Sequence, residues 1–159
     1  MGIAVIEKIE NHYRAHFERR LQHNVEEVWA WLTENEKLAK WFNELRVGDL
    51  SEGGFMRFDM QDGTFEELAI TELKLYSVFQ FSWWADTVRF ELFPDSDGYK
   101  LVLIETIEKM TDHTPKDLAG WHVCLDVIEA LMDGRTIERM EEWKKWYENY
   151  KQAVKNVTS

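Results

Sequence analysis

Two adjacent tryptophans, Trp83 and Trp84, lie in a run that also carries Phe79, Phe81 and Phe90. With Phe58 before them and Trp121 after, these rings could wall a pocket for a flat apolar molecule. Aromatic side chains suit that task because they give large rigid contact area, and indole adds one polar donor. The same residues would equally fill an ordinary core. Strand alternation sends neighbours to opposite faces, so one of Trp83 and Trp84 is expected to face outward. Beside the rings stand isolated charges. Arg19 interrupts an apolar strand face, while Glu67, Glu105 and Asp59 fall on other strand candidates. A buried cation without a partner is costly, so Arg19 is expected either to pair with one of these carboxylates or to remain in solvent. A buried network of this kind could orient a ligand's hydroxyl or carbonyl. In a dry pocket the carboxylates could also serve as general bases of a cyclase or dehydratase.

The remaining chemistry-bearing residues favour plainer readings. His12 and His16 are four apart, a spacing that suits two metal ligands on a helix, but they fall in a strand pattern with no third ligand near, so no metal site is expected. His122 is expected on the flank of a helix, off its apolar stripe. Cys124, the single cysteine, falls on that stripe and reads as a buried structural thiol. Gly53-Gly54 lacks the spacing and the following helix of a phosphate-binding loop.

Composition bounds the partners. The chain has 159 residues, the size of one domain, and a net charge of −11. Phosphate backbones and anionic membranes attract clustered Lys and Arg, so neither nucleic acid nor a membrane surface is expected as a partner. The start MGIAVIEKIENHY has no cationic, long apolar leader, and Ile6 stands where a myristoylation motif needs Ser or Thr. Apolar stretches are interrupted by charge before the ~20 residues of a membrane span. These features point to a cytoplasmic protein, monomeric or a weak homodimer.

The elements that must position these residues are legible in the patterning. Tyr13 to His23 alternates like a strand with one buried face. Asn24 and Glu27 form a capping-box arrangement that opens a helix with Val25, Val28, Trp29 and Leu32 on its buried side. A second short helix is predicted from about Glu36 to Asn43. Strand candidates follow at Arg46 to Leu50, Gly54 to Met60, Thr64 to Glu72, Ser77 to Trp84, Thr87 to Phe93 and Tyr99 to Met110. Turn chemistry at Gln61-Asp62-Gly63 and Pro94 to Gly98 makes this an antiparallel meander.

The stretch Thr114 to Gly134 then reads as one long helix, with Thr114 as cap, Pro115 at its first position and Gly134 as its left-handed stop. Trp121, Cys124, Leu125, Ile128, Leu131 and Met132 make one apolar stripe. Thr136 is expected to cap a last helix with Met140, Trp143, Tyr147, Tyr150 and Val154 along one face and Trp146 off that line. This tail either packs back on the sheet or offers a partner surface. The fold class is therefore α+β: a curved antiparallel sheet of about six or seven strands wrapped around a long C-terminal helix, with two short helices after the first strand. One domain is expected over 1–159, its core at about 13–134 and a helical extension at about 136–156.

In this order, the segments VEEVWAWLTENEKLAKWF, SEGGFMRFDM, FSWWADTVRFELFPDSDGYKLVL and GWHVCLDVIEALMDG resemble the START-like, helix-grip superfamily that includes the birch pollen allergen and polyketide cyclases. Within it the chain is most similar to the domain family named for activators of the heat-shock chaperone ATPase. The chain departs from the usual pattern at Asn24, Glu67, Ser77 and Glu105, and the two glutamates argue against a purely apolar cavity. The resemblance implies a ligand-holding module walled by sheet and closing helix. The expected function is non-catalytic, cofactor-free binding of a small hydrophobic molecule, a lipid or an aromatic polyketide or flavonoid-like compound. Its walls would be Trp83, Trp84, Trp121, Phe58, Phe79, Phe81, Phe90, Leu125 and Ile128, with Arg19, Glu67 and Glu105 as polar contacts. A chaperone- or stress-linked protein-interaction module and a cyclase- or hydrolase-type enzyme are the alternatives.

Overall fold

Alternation writes the second strand of the sheet and, through it, the inner face. In β2 (His12–Leu21) the side chains of Ala15, Phe17, Arg19 and Leu21 are buried while Arg14, Glu18 and Arg20 are exposed. The computed structural model describes residues 2–159. Before β2 lies β1 (Val5–Ile9), a strand missed by the sequence reading. It is an edge strand whose residues are half-buried or exposed, so it carries no apolar face to announce it and is held by antiparallel pairing with β2. Glu10, at a φ of 54°, turns the chain between them.

Helices α1 (Val25–Thr33) and α2 (Asn35–Trp41) follow. Asn24 caps α1 as its sequence predicts, its Oδ1 accepting from the Glu27 N–H at 2.8 Å. The meander then runs β3 (Leu45–Asp49), β4 (Phe55–Asp59), β5 (Phe65–Lys74), β6 (Val78–Trp83), β7 (Asp86–Asp95) and β8 (Gly98–Ile107). Together these make one eight-stranded antiparallel sheet in the order β1-β2-β8-β7-β6-β5-β4-β3, one strand more than expected. The last strand stops at Ile107 rather than Met110 because the chain turns there into the approach to α3 (Thr114–Met132).

Helix α3 lies over the inner face, Trp121 meeting Phe90 and Trp83 of the sheet. Its cap position is His113, and Thr114 is instead its first residue, with Oγ1 accepting from the Thr111 N–H at 3.0 Å. Gly134, at a φ of +75°, supplies the left-handed stop that a side chain would strain. The single stripe expected of α3 is too narrow: Ala119, His122, Val123 and Val127 are buried as well. The reason is α4 (Arg139–Thr158), which packs on α3 and buries its other side. Its cap is Glu138, not Thr136, and Met140, expected on its inner line, is exposed.

What fastens α4 is polar. The Tyr150 hydroxyl accepts the Ala4 N–H at 2.9 Å and lies 2.7 Å from His122 Nδ1. Trp146 stacks on the His122 ring with centroids 3.8 Å apart. His122 is therefore fully buried rather than on a helix flank, and burial, outweighing Asp126 nearby, holds its imidazole below the ordinary pKa and favours the neutral ring. Replacing Tyr150→Phe orphans both partners of the hydroxyl. It is expected to cost about 1–3 kcal/mol, read as a lower urea midpoint, whereas an unchanged midpoint would refute this role for the hydroxyl.

Candidate functional site

At one end of the sheet the β6–β7 hairpin, β4 and the start of α3 leave a cleft of about 380 Å³ lined by Phe58, Trp83, Trp84, Asp86, His113 and Asp117. Trp83 ends β6 with its side chain turned inward and buried. Trp84 is the first of two residues that turn the chain, and it adopts a φ of 55° while 48% exposed. A left-handed conformation costs a bulky L-residue about 1–2 kcal/mol. The strand alternation expected for Trp84 is thus replaced by a turn that swings the indole over the mouth of the cleft.

The rings there form a corner. Phe58 and Trp83 are 5.7 Å apart at 81°, Phe58 and Trp84 5.1 Å at 77°, and Trp83 and Trp84 5.0 Å at 79°. Three planes, pairwise nearly perpendicular, meet at this point. Behind Trp83 lies a smaller cleft of about 130 Å³ that includes Phe42, Asp117, Trp121, Cys124 and Arg139. Cys124 is buried there as expected, its thiol pushed up to about 11 by burial, against the pull of Arg139. Arg139 donates to the Trp41 carbonyl at 2.7 Å and to Cys124 Sγ at 3.1 Å.

Opposite the rings stand acids. Asp117 occupies the first turn of α3, where the helix dipole favours negative charge, and accepts the Trp83 indole N–H at 3.0 Å. Asp86 accepts the Glu108 N–H at 3.0 Å; burial, together with Asp117 and Glu108, raises its carboxyl above the ordinary value. Beneath them Glu105 is wholly buried on β8, its carboxyl against that of Asp117. Burial first, then the charge of Asp117 and a hydrogen bond shared with it, then the charge of Asp86, push its carboxyl well above the usual carboxylate range. The Trp121 indole N–H is a buried polar group without a partner.

The other expected site residues are dispersed. Phe79, Phe81 and Phe90 pack on one another at 5.2 to 6.4 Å as core, and Leu125 and Ile128 are buried with them. Arg19 does face inward, but its partner is Asp126 of α3, Nε to Oδ1 at 2.9 Å, and not Glu67, Glu105 or Asp59. Glu67 is exposed, because the strand's inner positions are those of Leu68 and Ile70. Asp59 accepts the Gln61 N–H at 2.9 Å in a turn. None of the three carboxylates offered as partners of Arg19 therefore pairs with it. Asp86, His113, Asp117 and Phe42 were missed; the first three lie outside the apolar pattern, and the acid two residues past the tryptophan pair was their one available signal.

The family model described as Activator of Hsp90 ATPase homolog 1-like protein matches residues 22–133, more than half of the chain. The chain belongs to this family. No curated protein matches the sequence. A conserved protein of unknown function from Enterococcus faecalis, EF2215, superposes with a TM-score of 0.88 at 24% identity, over 97% of this chain and 91% of that one. CalU16 from Micromonospora echinospora follows at 0.75 and 20% identity, over 95% and 96%. DynU16, from the dynemicin biosynthetic locus, reaches 0.62 at 18% identity, over 77% of this chain and 48% of its own. These likenesses establish the helix-grip fold of the Activator of Hsp90 ATPase homolog 1-like family, within the START-like superfamily. The family match ends at Asp133, where α3 closes, while the Enterococcus likeness extends through α4 as well. No described helix is long and apolar enough to cross a membrane.

Proposed function

We propose that this protein binds a small, largely hydrophobic molecule in the cleft between the sheet end and the start of α3, with Phe58, Trp83 and Trp84 as its walls. The observation that carries the reading is Trp84: a large ring, half-exposed, held in an unfavourable backbone conformation at the mouth of a concave aromatic site. Strain of this kind concentrates where function uses it, and an exposed indole gains most when a ligand covers it. The family supports a ligand-binding domain, and one similar fold, DynU16, is described as a protein of the dynemicin biosynthetic locus. The ligand enters beside the core rather than within it, since the rings of Phe79, Phe81 and Phe90 already fill the space beneath α3.

The test is a two-dimensional NMR titration of isotope-labelled protein with pooled fatty acids, sterols, flavonoids and polyketides, following backbone amides and the tryptophan indoles. Saturable shifts at Trp83, Trp84 and Asp117 are expected. Trp84→Ala should keep the fold and weaken the compound found by about tenfold or more, the equivalent of one partly buried aromatic face. Equal affinity in the folded variant would remove Trp84 from the site, and the absence of saturable shifts at the cleft from every pool would sink the reading.

A further inference from the structure

The cleft combines two chemistries that a neutral lipid would not require. One side is the corner of Phe58, Trp83 and Trp84, whose rings stand at 77 to 81° to one another. The other is acidic: Asp86 and Asp117 line it, and Glu105 lies buried against them. Among the described residues none of the three carboxyl groups is ion-paired with Lys, Arg or His, although the molecule carries thirteen such pairs elsewhere. The nearby guanidinium, Arg139, lines the smaller cleft and is engaged by the Trp41 carbonyl and the Cys124 sulfur. His113, at the rim, is exposed.

We infer that the cleft is built for an organic cation: an ammonium-bearing molecule with a flat apolar body, its charge held in the aromatic corner and faced by Asp86 and Asp117. This rests on the cleft being the binding site, as proposed above. The electron-rich faces of tryptophan and phenylalanine attract a cation within about 6 Å, and the attraction grows when the site excludes water. The acids act in the same direction. Carboxyl groups gathered without a counterion oppose one another's ionisation, and this, after burial, holds Glu105 toward its protonated form. A bound ammonium supplies the missing positive charge and relieves that opposition. Apart from the acids, the buried Trp121 N–H lacks a hydrogen-bond partner. Unpartnered buried polar groups are uncommon, and this one lines the smaller cleft together with Asp117, which lines both clefts. An anionic ligand would meet these carboxylates with only a rim histidine in compensation.

The experiment compares three probes on one ring system, 2-naphthylmethylammonium, 2-naphthylmethanol and 2-naphthoate, titrated into the full chain at neutral pH and followed at the cleft amides and indoles. The ammonium is expected to bind about tenfold or more tighter than the alcohol, with the carboxylate weakest. Asp117→Asn should erase that preference while leaving the alcohol's affinity in place, because an amide oxygen can still accept the Trp83 N–H. Asp97→Asn, at an exposed acid in the β7–β8 turn at the far end of β7 from Asp86, should leave the preference intact, which separates the site from the overall negative charge. Should Asp117→Asn lose its dispersed spectrum, Asp86→Asn takes its place with the same expectation. Alcohol binding as tight as that of the ammonium overturns the cation inference and leaves the aromatic cleft standing. A preference that survives both Asn variants also overturns it. No cleft shift from any probe overturns the cation inference, and the binding site is then decided by the pooled titration above.

Discussion

Asp126→Ala should destabilise the protein by about 3–5 kcal/mol, roughly 10 °C in Tm for a chain of this size. The Arg19 guanidinium is 1% exposed, and among the described residues Asp126 is the one carboxylate in salt-bridge contact with it. Its other contacts are carbonyls, Glu18 O at 2.8 Å and His122 O at 3.3 Å. Removing Asp126 leaves a full charge in the interior with those dipoles and the more distant Glu129 around it, and most of the desolvation that the pair offset then stands uncompensated. Burial pushes the Asp126 carboxyl upward, but His122 and Arg19 outweigh it and hold the group below the ordinary range. The sign follows: a depressed folded value gives stability that is present above the unfolded pKa and lost as pH falls through the folded one. Wild type should therefore lose part of its advantage over Asp126→Ala on acidification. Replacing both partners, Arg19→Met with Asp126→Leu, should recover most of the loss, because the cost lies in the orphaned charge and not in the missing pair. Urea denaturation of the three variants decides it; a cost for Asp126→Ala under about 1 kcal/mol would mean that the pair behaves as a surface pair despite its burial.

That same arginine shows where the sequence was legible and where it was not. The alternation in β2 marks position 19 as inward, and the structure agrees. Alternation cannot say what faces a strand from a helix 107 residues later, so Asp126, on α3, was not among the partners considered for it. Local signals held for local features: the Asn24 cap, the left-handed Gly134, the order of two short helices before the meander. Features set by a neighbouring element were hidden. β1 has no apolar face and exists through pairing, and His122 is buried only because α4 folds back over α3. The aromatic half of the site was visible in Phe58, Trp83 and Trp84. Its acidic half was not, because Asp86 belongs to a turn edge and Asp117 to a helix first turn, places where an acid is ordinary.

Glu105→Met should make the protein more stable at neutral pH, by about 1–3 kcal/mol. The two side chains are close in volume, and the substitution replaces a wholly buried carboxyl crowded against Asp117 and Asp86 by an apolar group among Val88, Ala15 and the aromatic core. The gain should depend on pH in one direction. Glu105 has its folded pKa raised well above 4.5, so its contribution is fully present below the unfolded value and is lost as pH rises through the folded one. Wild type is thus expected to weaken relative to Glu105→Met from about pH 4.5 upward, by at most about 1.4 kcal/mol per pH unit, until Glu105 ionises in the folded state. Below that window the difference should become independent of pH. A difference that stays constant across it would mean that Glu105 titrates alike in folded and unfolded chains, which its complete burial beside two aspartates forbids. A glutamate that costs stability in the resting protein needs a compensating use, and stability given up at a site of recognition is a common form of it. The same variant should therefore bind 2-naphthylmethylammonium more weakly than wild type while leaving 2-naphthylmethanol unchanged; a variant more stable and equally selective would make the buried acid a passive feature of the fold and leave recognition to Asp86 and Asp117.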